Sequence, residues 1–171
     1  MQKLIRIMAI VATGLMALSL VLLLVSMIFQ PLYVDMIGYP EAVKEYLPAI
    51  PVTDIIFCFL RLVCVALLII CCGSKKGGPW IELVVLVLLM AVLPVGYRIA
   101  YDLVTRLGAV LGLRYGVETG AFASIANTVS QMIAGYCLVP ASLGQAIAYV
   151  ACGMSIAFKH MNKKLERVAQ Q

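Results

Sequence analysis

The chain has 171 residues, of which 64% are hydrophobic and only 12% are charged. Soluble domains are closer to half apolar and about a quarter charged, so this composition excludes an ordinary soluble protein and indicates a membrane protein. The formal net charge of +5 could indicate a nucleic-acid partner in a soluble chain. Here the basic residues lie beside the ends of apolar segments, so we expect the lipid bilayer, and not nucleic acid, to be the partner.

The first apolar segment runs from residue 7 to residue 29 and follows a basic start. A cleaved signal peptide begins in the same way, but its apolar region is shorter, and no small-x-small cleavage site precedes Gln30 and Pro31. We therefore predict a retained first span that ends at these two residues. Residues 30 to 52 are predicted to form an outer loop, whose aromatic residues suit the membrane interface.

The second predicted span, residues 53 to 72, contains an arginine. Arg61 lies about 12 Å along the helix from the start of this span, where a charge is costly unless it pairs, reaches the surface or lines a wet cavity. Asp54 lies on the same helical face, and Gln145 of the last span is predicted at a similar depth, within reach of the guanidinium. We group Asp54, Arg61, Gln145 and Tyr97 as an intramembrane polar site, which is either an ion or ligand site or a structural clasp between helices.

Six cysteines lie in or near the predicted spans. Free cysteine in such surroundings usually packs as a small hydrophobe, so we do not expect disulfides. Cys71 and Cys72 lie next to a basic loop, where a eukaryotic chain could also carry a lipid. The sequence leaves that alternative open.

The third predicted span covers residues 80 to 97 and is an antiparallel neighbour of the second, because the loop between them is short. Pro94 is expected to kink it. The helical pattern continues to Leu113, roughly 50 Å from Trp80, whereas a hydrocarbon core is about 30 Å thick. Residues 98 to 139 are therefore predicted to form a long helical hairpin that projects outward between the third and fourth spans.

Both arms of this hairpin are amphipathic. The apolar stripe of the first arm includes Ile99, Leu103, Leu107 and Val110, and a similar stripe follows the turn, so we expect the two stripes to pack on each other. The polar faces, which are predicted to line an outer vestibule or an interface, carry Arg98, Asp102, Arg106, Asn127 and Gln131. A fifth span in place of the second arm would put polar residues in lipid, so four spans are favoured; a surface-lying or re-entrant arrangement stays open.

Small residues recur at steps of four in two places. The first set is Gly108, Gly112, Gly116 and Gly120, and the second is Gly144, Ala148 and Cys152. Such spacing lets helix backbones approach closely, so we predict helix-packing faces, either within one chain or between copies.

The last predicted span covers residues 140 to 158 and leads into a basic tail, residues 159 to 171. With four spans, the basic residues flanking the apolar segments fall mainly on one side, which places both termini in the cytoplasm, with the chain in a plasma or inner membrane. His160 has no cysteine or carboxylate at ligand spacing beside it, so no metal or other cofactor is expected.

The sequence therefore predicts one membrane domain, residues 1 to 171, of the all-α class: a polytopic protein with four transmembrane helices. It offers no CxxC motif and no nucleophile paired with a base. We expect a non-enzymatic protein that acts through helix packing, as a homo-oligomer or as a membrane subunit of a larger complex. The alternative is a channel or small transporter whose pathway forms on oligomerisation.

Overall fold

The computed structural model describes residues 1–37, 49–72, 79–114 and 119–169. The regular structure in these ranges is entirely helical, which confirms the predicted class. The helices are α1 (Gln2–Ile37), α2 (Ala49–Cys72), α3 (Trp80–Val87), a π-helical turn (Leu88–Val92), α4 (Leu93–Arg114) and α5 (Thr119–Ala169). The three segments from Trp80 to Arg114 follow one another without a break, and we call them together α3–α4.

Within the described ranges, four helical stretches are long and apolar enough to cross a membrane. They are Gln2–Phe29, Val52–Cys71, Trp80–Gly108 and Gly135–Val168. Most of the large apolar side chains on their outward faces are exposed, as in Ile28, Ile70 and Val84. A water-soluble bundle would bury such residues, whereas lipid tails solvate them.

The first helix is longer than the sequence predicted. α1 continues through Gln30 and Pro31 to Ile37, whereas we expected it to end at those two residues. Proline removes one backbone hydrogen bond, and the loss is tolerable where the freed carbonyl meets water. Pro31 lies roughly 44 Å from the start of α1, which is further than the thickness of a hydrocarbon core. Of the predicted outer loop, residues 38–48 lie outside the described residues.

The helices form a bundle in which each packs on its neighbours in the chain and α5 returns to pack along α1. α1 and α5 are antiparallel, because Ser19 lies beside Cys137 while Ala12 lies beside Gly144. The start of α1 and the end of α5 are therefore at the same end of the bundle. The fully buried core includes Met16 of α1, Val65 and Leu68 of α2, Leu89 of the π-helical turn, and Ala148, Ala151 and Cys152 of α5.

The contact between α1 and α5 is closest at Gly144. A Cβ atom at this position would lie 2.8 Å from the carbonyl oxygen of Ala12 and 3.2 Å from the side chain of Met16. Real Cβ atoms do not approach a backbone oxygen so closely, so glycine is needed here. Ala148 and Cys152 continue this buried face, so the second set of small residues packs within the chain.

Candidate functional site

Gln145 contacts a backbone carbonyl that a proline has left without a donor. The π-helical turn shifts the backbone hydrogen bonds of α3–α4 by one residue just before Pro94, and Pro94 has no N–H to donate. The carbonyl oxygen of Leu89 instead accepts the Gln145 Nε2 at 3.3 Å and the Tyr149 hydroxyl at 3.2 Å. Gln145 Nε2 also contacts the Tyr149 hydroxyl. This group fastens α5 to α3–α4 in the middle of the bundle.

Ser19 has the corresponding role at the second proline. Pro140 lies inside α5, and the hydroxyl of Ser19 from α1 lies next to it. This hydroxyl donates to the carbonyl oxygen of Cys137 at 2.6 Å and accepts the N–H of Ala141 at 2.8 Å. It thus bridges two backbone groups that would bond each other directly in an uninterrupted α-helix. In the sequence, Ser19 is one of the few polar residues within the first apolar segment.

A buried ion pair joins the first turn of α3–α4 to α5. The Glu82 side chain is 0% exposed, and its Oε1 accepts the hydroxyl of Ser155 at 3.1 Å and pairs with the ammonium of Lys159. Its Oε2 is buried and has no hydrogen-bond partner within the described ranges. This cluster was not predicted from the sequence, because Lys159 was assigned to the basic tail, residues 159 to 171. Since Ser155 and Lys159 are one helical turn apart, they can reach a carboxylate at the start of an antiparallel neighbour.

Two members of the predicted intramembrane site meet directly. The hydroxyl of Tyr97 donates to Oδ1 of Asp54 at 2.7 Å, and the Asp54 side chain is buried. The ring of Phe57 packs edge-on against Tyr97, with ring centroids 5.5 Å apart. Gly96 also faces this ring, and a Cβ there would lie in ordinary van der Waals contact with it, 3.4 Å away. The contact joins α2 to α3–α4.

Arg61 lies on the inward face of α2, between two buried residues. Its neighbours at helical spacing, Cys58 and Val65, are buried. The Nε atom is buried and has no partner among the residues that the structure describes. Asp54 and Tyr97 lie within electrostatic range of the guanidinium, yet no ion pair between Arg61 and Asp54 forms in the described part of the chain.

The structure thus divides the predicted polar site into two groups. Asp54 and Tyr97 are hydrogen-bonded between α2 and α3–α4, and Arg61 lies within electrostatic range of both. Gln145 belongs to the Leu89 group, and no hydrogen bond joins it to Arg61 in the described ranges. The partner of Gln145 depends on a backbone irregularity that side-chain spacing cannot reveal.

The predicted polar face of the first hairpin arm is exposed. Arg98, Asp102 and Arg106 all lie on the surface of α4, and no ion pair joins them within the described ranges. Asn127 and Gln131 lie in α5, but the structure does not describe their side chains. A vestibule or interface formed by these residues stays a prediction.

The expected packing of the two apolar stripes is wrong for the first arm. Its side chains are exposed, with Ile99 at 64%, Leu103 at 67%, Leu107 at 55% and Val110 at 63%. The helix runs unbroken through Pro94, so the face that is buried at Leu89 and Leu93 continues at helical spacing through Ala100, Val104 and Gly108, which are partly or fully buried. The helix face with Ala100, Val104 and Gly108 therefore points into the protein, and the apolar stripe does not.

Of the four glycines predicted to form a packing face in the hairpin, the structure describes the environment of one. Gly108 is buried in α4, and Gly112 and Gly120 lie in helices without a described environment. Gly116 belongs to the turn, residues 115–118, which is outside the described residues.

The structure also locates the groups considered for metal or thiol chemistry. Among the described residues, no three His, Cys, Asp or Glu side chains lie close enough to hold a metal ion. Within the described ranges, no disulfide joins Cys58, Cys64, Cys71, Cys137 or Cys152. His160 is exposed on the last turns of α5.

The fold and its polar contacts define an all-helical bundle of membrane-spanning dimensions, with polar groups buried at several depths. A comparison of the chain with protein-family models, curated proteins and solved structures finds no match.

Proposed function

We propose that the chain is a non-enzymatic multi-pass membrane protein that acts through helix packing and assembles with further copies of itself. Both termini would lie in the cytoplasm, in a plasma or inner membrane. Exposed basic residues at the joint end of α1 and α5 support this orientation, since cytoplasmic segments carry an excess of lysine and arginine. They are Lys3, Arg6, Lys163, Lys164 and Arg167.

The exposed apolar stripe of α4 carries the proposal. Leu103 is 23 residues from Trp80, roughly 35 Å along the helix, so Leu103, Leu107 and Val110 lie beyond a hydrocarbon core of about 30 Å if α3–α4 crosses it upright. Lipid tails would not cover these side chains there. Leaving each of them in water forgoes about 1.5–3 kcal/mol of burial free energy.

A second copy of the chain is the simplest partner that could cover this stripe. Membrane homo-oligomers with an axis along the membrane normal bring the same helix of each copy together. Asp102 and Arg106 lie beside the stripe and are exposed, as expected for the polar rim of an interface. An unrelated membrane subunit on the same stripe is the alternative.

Measuring the mass of the protein in detergent and in lipid nanodiscs tests the proposal. We expect an oligomer that dissociates in the Leu103→Ser/Leu107→Ser variant while each chain keeps its helical content by circular dichroism, because both side chains are exposed in the single chain. Leu165→Ser is the matched control, since Leu165 is exposed to 66% at the other end of the molecule. A strictly monomeric wild-type protein would exclude self-assembly.

A channel or small transporter is the second candidate, and the buried polar groups favour it. Asp54 and Glu82 lie inside the bundle near opposite ends of the apolar helices, and Arg61 lies between them on the inward face of α2. Ion or solute flux in liposomes separates the two functions. If Arg61 only fastens helices, Arg61→Gln lowers thermal stability and leaves flux unchanged; altered flux in a folded variant favours transport.

A further inference from the structure

The environment of Arg61 combines an apolar surrounding with an unused hydrogen-bond donor. Arg61 lies about 14 Å from the start of the apolar stretch at Val52, which is close to the middle of a bilayer. The residue is only partly exposed, and its Nε is buried without a partner within the described ranges. A guanidinium carries five N–H donors and cannot become neutral in a protein, so a buried N–H of this group without a partner is costly.

The carboxylates whose side chains the structure describes are directed elsewhere. Asp54 accepts the hydroxyl of Tyr97, and Glu82 pairs with Lys159. Asp102 and Glu166 are exposed on the surface of α4 and α5. Asp54 interacts electrostatically with the Arg61 guanidinium, but no ion pair joins them in the described ranges. Within the described ranges, the chain does not supply the direct acceptor that Arg61 lacks.

We propose that Arg61 is the anchor of a binding site for an oxyanion, a phosphate or carboxylate group that comes from outside the chain. The planar fork of the guanidinium matches two oxygens of such a group, which a lysine at the same position would not do. The nearby Asp54 carboxylate opposes a second negative charge, so the site favours a singly charged group such as a phosphodiester or a carboxylate. This site does not depend on the proposed self-assembly.

Two sources could provide this group. A phospholipid can bring its phosphodiester to an intramembrane arginine, because the arginine side chain reaches toward the surface and the bilayer thins locally around it. Helical side chains lean toward the N-terminus of their helix, so Arg61 leans toward the end of α2 where Asp54 and Tyr97 lie. A free carboxylate or phosphate would approach from the same end.

Protection of arginine from phenylglyoxal tests the site in the unmodified chain. The protein is stripped of lipid in a maltoside detergent, modified, and examined by peptide mass spectrometry with phosphatidylglycerol, acetate, inorganic phosphate or no addition. Arg98, which is exposed on α4, serves as the internal reference. At a ligand concentration about ten times its Kd, we expect modification of Arg61 to slow about tenfold relative to Arg98, because only the small unoccupied fraction then reacts.

Each outcome decides the proposal. Protection by phosphatidylglycerol alone identifies a lipid headgroup as the ligand, and protection by acetate or inorganic phosphate identifies a free anion. Equal reactivity of Arg61 with every addition overturns the site, and so does an Arg61 that stays unreactive without any ligand, because protein groups then already cover it.

Native mass spectrometry gives a second measurement for the lipid arm. Wild-type protein should retain bound phosphatidylglycerol, Arg61→Gln should retain about tenfold less, and Arg61→Lys an intermediate amount because it keeps the charge but not the fork. Arg98→Gln is the matched control. The lipid assignment fails if Arg61→Gln binds as much lipid as Arg98→Gln. The oligomeric state read from the same spectra shows separately whether self-assembly holds.

Discussion

At the scale of single residues, several polar side chains in this bundle satisfy backbone groups that proline has left open. Ser19 bridges Cys137 and Ala141 beside Pro140. Gln145 and Tyr149 bond the carbonyl of Leu89 close to Pro94 in the same way. An unsatisfied backbone group in a lipid environment costs several kcal/mol, so each interhelical hydrogen bond makes a proline within a helix tolerable and also fixes the position of the neighbouring helix.

Removal of the Ser19 hydroxyl should destabilise the bundle. Ser19→Ala leaves a buried carbonyl and a buried N–H of α5 without their partner, and we expect a loss of about 2 kcal/mol or more in the free energy of unfolding. Unfolding by denaturing detergent, followed by circular dichroism, measures this loss. Ser142→Ala is the control, because the Ser142 hydroxyl is exposed and bonds only within its own helix.

A double-mutant cycle links that loss to the proline. In a Pro140→Ala background α5 can restore its own hydrogen bonds, so the additional effect of Ser19→Ala should become smaller. The same loss in both backgrounds would show that Ser19 contributes through packing and not through the bridge.

The buried ion pair between Glu82 and Lys159 predicts an unequal response to the removal of each partner. Lys159→Met leaves a fully buried carboxylate without its cation and should cost about 3 kcal/mol of unfolding free energy or more. Glu82→Gln should cost less, because the amide still accepts from Ser155 and Lys159 can extend toward the lipid headgroups. Comparing the two variants in the same unfolding assay checks the order; a costlier Glu82→Gln would contradict it.

The sequence revealed the charged residues of the candidate site but not all of their partners. Arg61 and Asp54 stand out because charge is rare in apolar helices, and their proximity follows from helical spacing. The bond between Gln145 and Leu89 could not be predicted, since it depends on a π-helical turn for which the sequence offered only Pro94. The pair of Glu82 and Lys159 was missed because Lys159 was assigned to the basic tail and no partner was predicted for it.

At the scale of helices, the length of the apolar segments correctly predicted the long helices. The side-chain pattern of α4, however, led to a wrong prediction of its buried face. The stripe with Ile99 and Leu103 is the more apolar face of α4, yet it is exposed. The rotation of a continuous helix about its own axis is fixed by its most tightly packed part, here around Leu89. More distant segments of the same helix keep that rotation, so their buried face follows from it. A local amphipathic pattern carries no information about this constraint.

The close contact between α1 and α5 predicts opposite effects of two glycine substitutions. Gly144→Ala would place a methyl group against the backbone of Ala12 and should cost about 1–3 kcal/mol of unfolding free energy. Gly153→Ala has open space around its Cβ and should be neutral or stabilise α5 by up to about 1 kcal/mol through helix propensity. Equal effects in thermal unfolding would mean that α1 and α5 do not approach each other at Gly144.

At the scale of the whole molecule, the buried polar contacts are distributed along the bundle and join different helix pairs. Asp54 and Tyr97 join α2 to α3–α4, Ser19 joins α1 to α5, and Glu82 with Lys159 joins α3–α4 to α5. Apolar helices in lipid have no hydrophobic driving force toward one another, so such contacts, with the small-residue face of α5, specify one arrangement among many of similar packing energy.

The orientation of this arrangement in a membrane gives the last prediction. The start of α1 and the end of α5 lie at one end of the bundle, and the proposed topology puts that end in the cytoplasm and the tip of the hairpin outside. In intact cells, a membrane-impermeant amine reagent should therefore modify Lys44 and the lysine of an Arg114→Lys variant, but not Lys163 or Lys164. Permeabilised cells, in which all of these lysines should react, provide the control. If the lysine at position 114 and Lys163 react from the same side, the second half of the chain does not cross the membrane as proposed, and the exposed stripe of α4 would then face a different environment.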